Sequence, residues 1–156
     1  MCKYRKNKNK YIFYNEMYNK TRKGVDYMEL LKRNDIKKNY LKGRIIQNSV
    51  GKGDYPVSSE KMTVCFAHYS EECGAMSPHN HAEETVVVLD GKRCWVKTGK
   101  SENELTEKTE LEKGDVMHFK ELEWHVFGYE EGGYLDALCI YGQVDNIRPE
   151  DILKKK

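Results

Sequence analysis

The sequence predicts an all-β fold, a sandwich or barrel of short strands. Two observations carry that expectation. Seven runs alternate apolar with polar residues, or are rich in β-branched and aromatic side chains, and glycine-containing turn signals separate them at close spacing. Many short strands so arranged indicate a sandwich or barrel. The length, 156 residues, suits one domain.

The elements follow in chain order. Residues 1–27 are rich in Lys, Asn and Tyr and show no sustained apolar period, so they read as a basic, disordered arm. A single β-barrel domain is expected over 28–156. In its first part Leu30, Leu31 and Ile36 suggest a short helix or turn with a few apolar anchors. The expected strands are Gly43–Val50, Lys61–Ser70, Glu84–Asp90, Arg93–Thr98, Val116–Lys120, Glu123–Tyr129 and Tyr134–Tyr141. Gly51, Gly53 and Pro56 mark a loop, and Asp90-Gly91 predicts a tight hairpin turn. Gly114-Asp115 and Gly132-Gly133 predict two more turns. Pro149–Lys156 reads as a terminal helical turn, because proline suits the first helical position and lysines suit the last turn.

Composition narrows the function classes. Net charge is +2, but residues 1–53 carry +11 and residues 54–156 carry −9. A basic arm can contact nucleic acid, yet no helix-turn-helix, zinc finger or RNA-binding strand signature accompanies it, so no nucleic-acid partner is expected. No apolar run approaches a membrane span of ~18 residues, and the first residues lack a secretion signal, so a cytoplasmic location is expected. The cysteines, Cys2, Cys65, Cys73, Cys94 and Cys139, are odd in number and form no Cys-x-x-Cys pair. They are expected to be reduced thiols, mostly in the core. The arm buries little and is expected to be dispensable. Lys23-Gly24-Val25 can be encoded by a ribosome-binding sequence shortly before Met28, which leaves open whether residues 1–27 belong to the natural product.

The chemistry-bearing residues gather in two places. Pro78-His79-Asn80-His81 puts two imidazoles on one side of an extended chain, about 6.5–7 Å apart along it. A turn at Ala82-Glu83 would set Glu84 on the neighbouring antiparallel strand beside them, with Glu83 as a substitute ligand if the turn forms otherwise. The later run from Gly114-Asp115 begins with a turn, continues as an apolar strand, turns again and ends on His125, which a barrel can bring across to the first pair.

Residues 74–128 resemble the two-motif core of the cupin superfamily. Gly74, His79, His81, Glu84 and Gly91 match its first motif, and Gly114, Asp115 and His125 match its second. The resemblance implies a double-stranded β-helix, or jelly-roll, barrel with short helical segments at its ends. It also implies that His79, His81, Glu84 and His125 bind one metal ion. Three departures stand out. The intervals from Gly74 to His79 and from His81 to Glu84 are shorter than usual. In the second motif Lys120, Leu122 and Tyr129 stand where the family has proline, glycine and asparagine.

Three imidazoles and a carboxylate suit one divalent transition ion per chain, whether iron, manganese, nickel, cobalt or zinc, and do not suit calcium. With four protein ligands, an ion of higher coordination number keeps open positions for catalysis. The expected function is a metal-dependent enzyme on a small polar molecule, such as a dioxygenase, isomerase or epimerase, decarboxylase or lyase. The alternative is a non-catalytic small-molecule-binding or sensory module. Tyr134, Cys139, Tyr141, Met76, His68, Trp95, His118 and Phe127 are candidates to line the cavity, with His68 and His118 as possible acid–base groups. A homodimer is expected, from exposed sheet edges and from the resemblance.

Overall fold

The strand-forming runs become two very long strands with shorter ones laid on them. The computed structural model describes residues 28–154, so the basic arm lies outside the described residues. The strands are β1 (Asn39–Leu41), β2 (Arg44–Gly51), β3 (Val57–Ser58), β4 (Thr63–Ser70), β5 (Glu84–Ser101), β6 (Glu104–Leu105), β7 (Thr109–Leu111), β8 (Val116–Phe119) and β9 (Trp124–Tyr141). Their order is β1-β2-β4-β9-β5-β6, with β3 on β2 and with β7 and β8 on β5. All pairings are antiparallel except β2 with β3. Beyond these, short 3-10 turns cover Arg33–Asp35 and Glu71–Cys73, and α1 (Pro149–Leu153) carries proline at its start. Residues 31–154 belong to one compact unit, and the strands roll into a jelly-roll barrel.

The two-residue period of each strand builds the barrel wall. Along β4, Thr63, Cys65, Ala67 and Tyr69 are buried, while Val64, Phe66, His68 and Ser70 are half-buried on the opposite face. Val86 and Val88 of β5 and Leu135, Ala137 and Cys139 of β9 complete the same inward face. On β2 the other face is also covered. Gln47 donates to the backbone carbonyls of Arg33 and Ile36, and the Arg33 guanidinium grips both oxygens of Asp136 while lying over the Phe66 ring. Ile36 is the buried anchor of this segment, and Leu30 is exposed.

Two expected turns are corrected. Asp90-Gly91 is not a hairpin, because β5 continues through it and stays paired to β9 from Glu84–Tyr141 to Gly99–Trp124. The extra residue Leu89 is taken up as a bulge. Gly132-Gly133 does not reverse the chain either. Residues 130–133 of β9 bulge out opposite Arg93, whose guanidinium donates to the Glu131 carbonyl. A Cβ on Gly133 would sit 2.6 Å from the Lys92 carbonyl oxygen, so glycine serves close backbone approach here. Two pairs of expected strands, Glu84–Asp90 with Arg93–Thr98 and Glu123–Tyr129 with Tyr134–Tyr141, are therefore single strands.

Among the described residues Cys65, Cys73, Cys94 and Cys139 are free thiols, three of them buried. No helix among those residues is long and apolar enough to cross a membrane.

Candidate metal centre

Backbone pairing brings the distant histidines together. The His79 N–H donates to the His125 carbonyl at 3.0 Å, and the His125 N–H returns a bond to the His79 carbonyl at 2.9 Å. The Leu122 N–H donates to the His81 carbonyl, which zips the loop holding the first two histidines onto the start of β9. The chain then bends at Ala82, which is fully buried and donates its N–H to the Ile147 carbonyl. Glu84 opens β5, paired with Phe119 on one side and Tyr141 on the other.

The imidazoles of His79, His81 and His125 converge. One ring nitrogen from each lies within 4.8 Å of the others. Two rings are oriented by their far nitrogens, since His81 Nδ1 bonds the Ala82 carbonyl at 2.8 Å and His125 Nδ1 bonds the Glu123 carbonyl at 2.9 Å. A neutral imidazole that donates from Nδ1 keeps a lone pair on Nε2, the tautomer that binds metal. His125 also stacks on Phe119, with ring centroids 4.3 Å apart. Glu84 Oε2 lies 3.3 Å from His81 Nε2 and 3.9 Å from His125 Nε2.

The electrostatics keep donor groups ready. Burial, then the charges of His125 and Arg44, lowers the His79 pKa to about 2. Burial and His81 lower that of His125 to about 4. Burial alone would raise the Glu84 carboxyl, but the His81 hydrogen bond and charge, with bonds from Tyr141 and Cys139, outweigh it and hold Glu84 below its ordinary value. Neutral His79 and His125 and an ionised Glu84 are the forms that ligate a cation, and a cation would take the place of the contact between His81 Nε2 and Glu84.

Buried His125 Nε2 has no hydrogen-bond partner. A buried polar nitrogen left unpaired is costly, and a cation at the centre of the cluster supplies a partner for a lone pair. The donor set therefore fits a transition ion of intermediate hardness.

The centre opens into a cavity of about 200 Å³. Phe127, Cys139 and Tyr141, expected as lining, are there; Arg44, Cys65 and Tyr69, which sequence reasoning missed, line it too. The remaining candidates lie elsewhere. His68 and Tyr134 are on the outer face, where His68 Nδ1 is 3.4 Å from Asp136 and the Tyr134 hydroxyl donates to Asp90. His118 lies 2.9 Å from exposed Glu83 and 3.0 Å from the Thr85 hydroxyl, so Glu83 is turned toward a surface histidine. Trp95 packs under the Lys108 ammonium beside a separate depression. Met76 reaches the Arg44 guanidinium through its sulfur at 3.7 Å. An inward-pointing Arg44 left no sequence signal, because the alternation of β2 does not say which face meets the cavity.

No protein-family model and no curated protein matches the sequence. Solved structures do match in fold. The polyketide cyclase RemF from Streptomyces resistomycificus is 18% identical with a TM-score of 0.58, covering 73% of this chain and 78% of its own. Bacillus subtilis oxalate decarboxylase, described for its Mn(II) centres, is 16% identical with a TM-score of 0.60, over 86% of this chain and 36% of its own. HppE in its Fe(II) form is 14% identical with a TM-score of 0.55, over 73% of this chain and 60% of its own. The chain thus spans about a third of the oxalate decarboxylase and three fifths of HppE. These are cupin-fold proteins, and the chain has the cupin fold, with a histidine cluster able to hold a metal ion inside the barrel.

Proposed function

We propose that the chain is a metal-dependent enzyme acting on a small polar molecule, with one divalent transition ion held by His79, His81, Glu84 and His125. The observation that carries this reading is the convergence of three oriented imidazoles, with Glu84 beside them, at a cavity of about 200 Å³. Iron and manganese are the favoured ions, since HppE and the oxalate decarboxylase are described with Fe(II) and Mn(II). A bound ion would act as a Lewis acid on an oxygen of the substrate.

The protein's own residues supply the rest. His81 and His125 are held in the metal-binding tautomer by the Ala82 and Glu123 carbonyls. Tyr141 and Cys139 bear on Glu84 and hold its charge. Phe119 and Phe127 wall the histidines from water. The free thiols suit a reducing compartment such as the cytoplasm. A homodimer is part of the same reading.

The test is elemental analysis of protein purified without an affinity tag, then a substrate screen with each reconstituted ion. One ion per wild-type chain and none in His81→Ala is expected. Equal metal in the two proteins would sink the ligand assignment.

A further inference from the structure

We propose that Arg44 makes the cavity selective for small carboxylic acids, gripping the acid's carboxylate while the rest of the molecule faces the histidine cluster. This inference rests on the metal-site reading above and names the substrate class of that site.

Arg44 opens β2 immediately after the β1–β2 turn, where Gly43, with φ of +85°, packs so closely on Met76 that a Cβ would lie 2.7 Å from the Met76 Cα. That contact sets Arg44 at the rim of the cavity it shares with His79, His81 and Glu84. Its positive charge bears on both His79 and Tyr69.

What stands out is the missing partner. Arg44 Nε is buried without a hydrogen bond, and the guanidinium reaches the weak acceptor Met76 Sδ at 3.7 Å. Among the described residues Arg44 forms no ion pair. The nearest acidic candidate in the cavity, Glu84, is engaged by His81. A buried guanidinium edge without an acceptor is costly to maintain unless a ligand completes it. With a divalent ion present, the ion and Arg44 together outweigh the single charge of Glu84, so the cavity favours an anion.

Two features favour a carboxylate over a phosphate. The guanidinium is a flat fork that matches the two oxygens of a carboxylate, and beside the ion Arg44 is the one cationic side chain among the described residues lining the cavity, with no lysine or second arginine to complete a phosphate site. The volume, about 200 Å³, sets the size. At roughly 30 Å³ per water-sized group it admits on the order of six or seven non-hydrogen atoms. Ile46, Phe127 and Ile147 give the remaining wall an apolar surface for a short carbon chain.

The test is calorimetric titration of the zinc-loaded protein and its Arg44→Met and Arg44→Lys variants. The probes are acetate, glycolate, oxalate and malonate, each beside its uncharged amide, and inorganic phosphate. Metal content and melting temperature are recorded for every protein. In the wild type at least one acid should bind tenfold or more tighter than its amide. Arg44→Met should lose roughly tenfold to hundredfold on the acid and little on the amide. Arg44→Lys, which keeps the charge without the fork, should recover part of the loss; it also carries the test if the methionine variant fails to fold.

Equal binding of acid and amide, no binding of any acid, or tighter binding of phosphate would overturn the proposal. So would a parallel loss of acid and amide in the variants, the signature of a purely structural arginine. A wild type that takes up no zinc would refute the metal reading instead. The preference for acid over amide would then be read in the metal-free protein, where Arg44 should still produce it.

Discussion

At the scale of single residues the histidines carry a stability signature as well as a chemical one. In the metal-free protein His125 is held neutral, with its pKa lowered to about 4 by burial and His81, and His79 is lowered further by burial. An unfolded chain titrates these imidazoles near 6.5. Below that value the unfolded state binds more protons than the native state, so native stability falls as the pH drops from about 6.5 toward 4. His125 alone should account for on the order of 2–3 kcal/mol of that loss. Urea midpoints of chelator-treated protein at pH 7 and pH 4.5 measure it, and His125→Gln should show a flatter dependence than the parent. Identical slopes would mean that His125 does not resist protonation. His79, His81 and His125 were legible in the sequence because their spacing matches a known pattern. Arg44 was not, because an isolated arginine on a strand looks the same whether it points to solvent or to a cavity. Leu122 was legible only as a departure. It adopts a left-handed conformation, φ of 64°, at the position where the resembling motif has glycine.

At the scale of elements the paired glycines misled. A glycine inside an alternating run marks either a turn or a bulge where backbones crowd, and local sequence does not separate the two. What decides at Gly132-Gly133 is the partner strand, since Lys92 pairs with Tyr134 and Cys94 with Tyr129. Their contact is lost if a side chain intrudes. Gly133→Ala would place a methyl group 2.6 Å from the Lys92 carbonyl and 2.7 Å from the Glu130 carbonyl, both backbone atoms. The substitution should cost at least about 2 kcal/mol. Denaturant unfolding reads the change directly, and an unaltered midpoint would show that the bulge relaxes freely. By contrast the positions of β2, β4 and β8 were legible to within a residue or two, as was the start of the terminal helix at Pro149. Alternation and a helix-starting proline are local signals.

At the scale of the whole molecule the outer wall of the barrel bears on assembly. Val64 lies opposite Ile140, Phe66 opposite Leu138, and Val87 pairs with both Leu138 and Val116. These side chains share the face turned away from the core, and Val116 is 64% exposed. A second copy laid on this wall would cover it. Light scattering at micromolar concentration should give twice the chain mass of 18.3 kDa; a monomer mass would rule the dimer out. The reciprocal backbone bonds between His79 and His125 bear on a different matter. They join the two histidine segments through peptide groups alone, so the three imidazoles converge without help from an ion. On the metal reading proposed above, the site would be formed before it is filled, and the ion it took would depend on the supply met by an already folded chain.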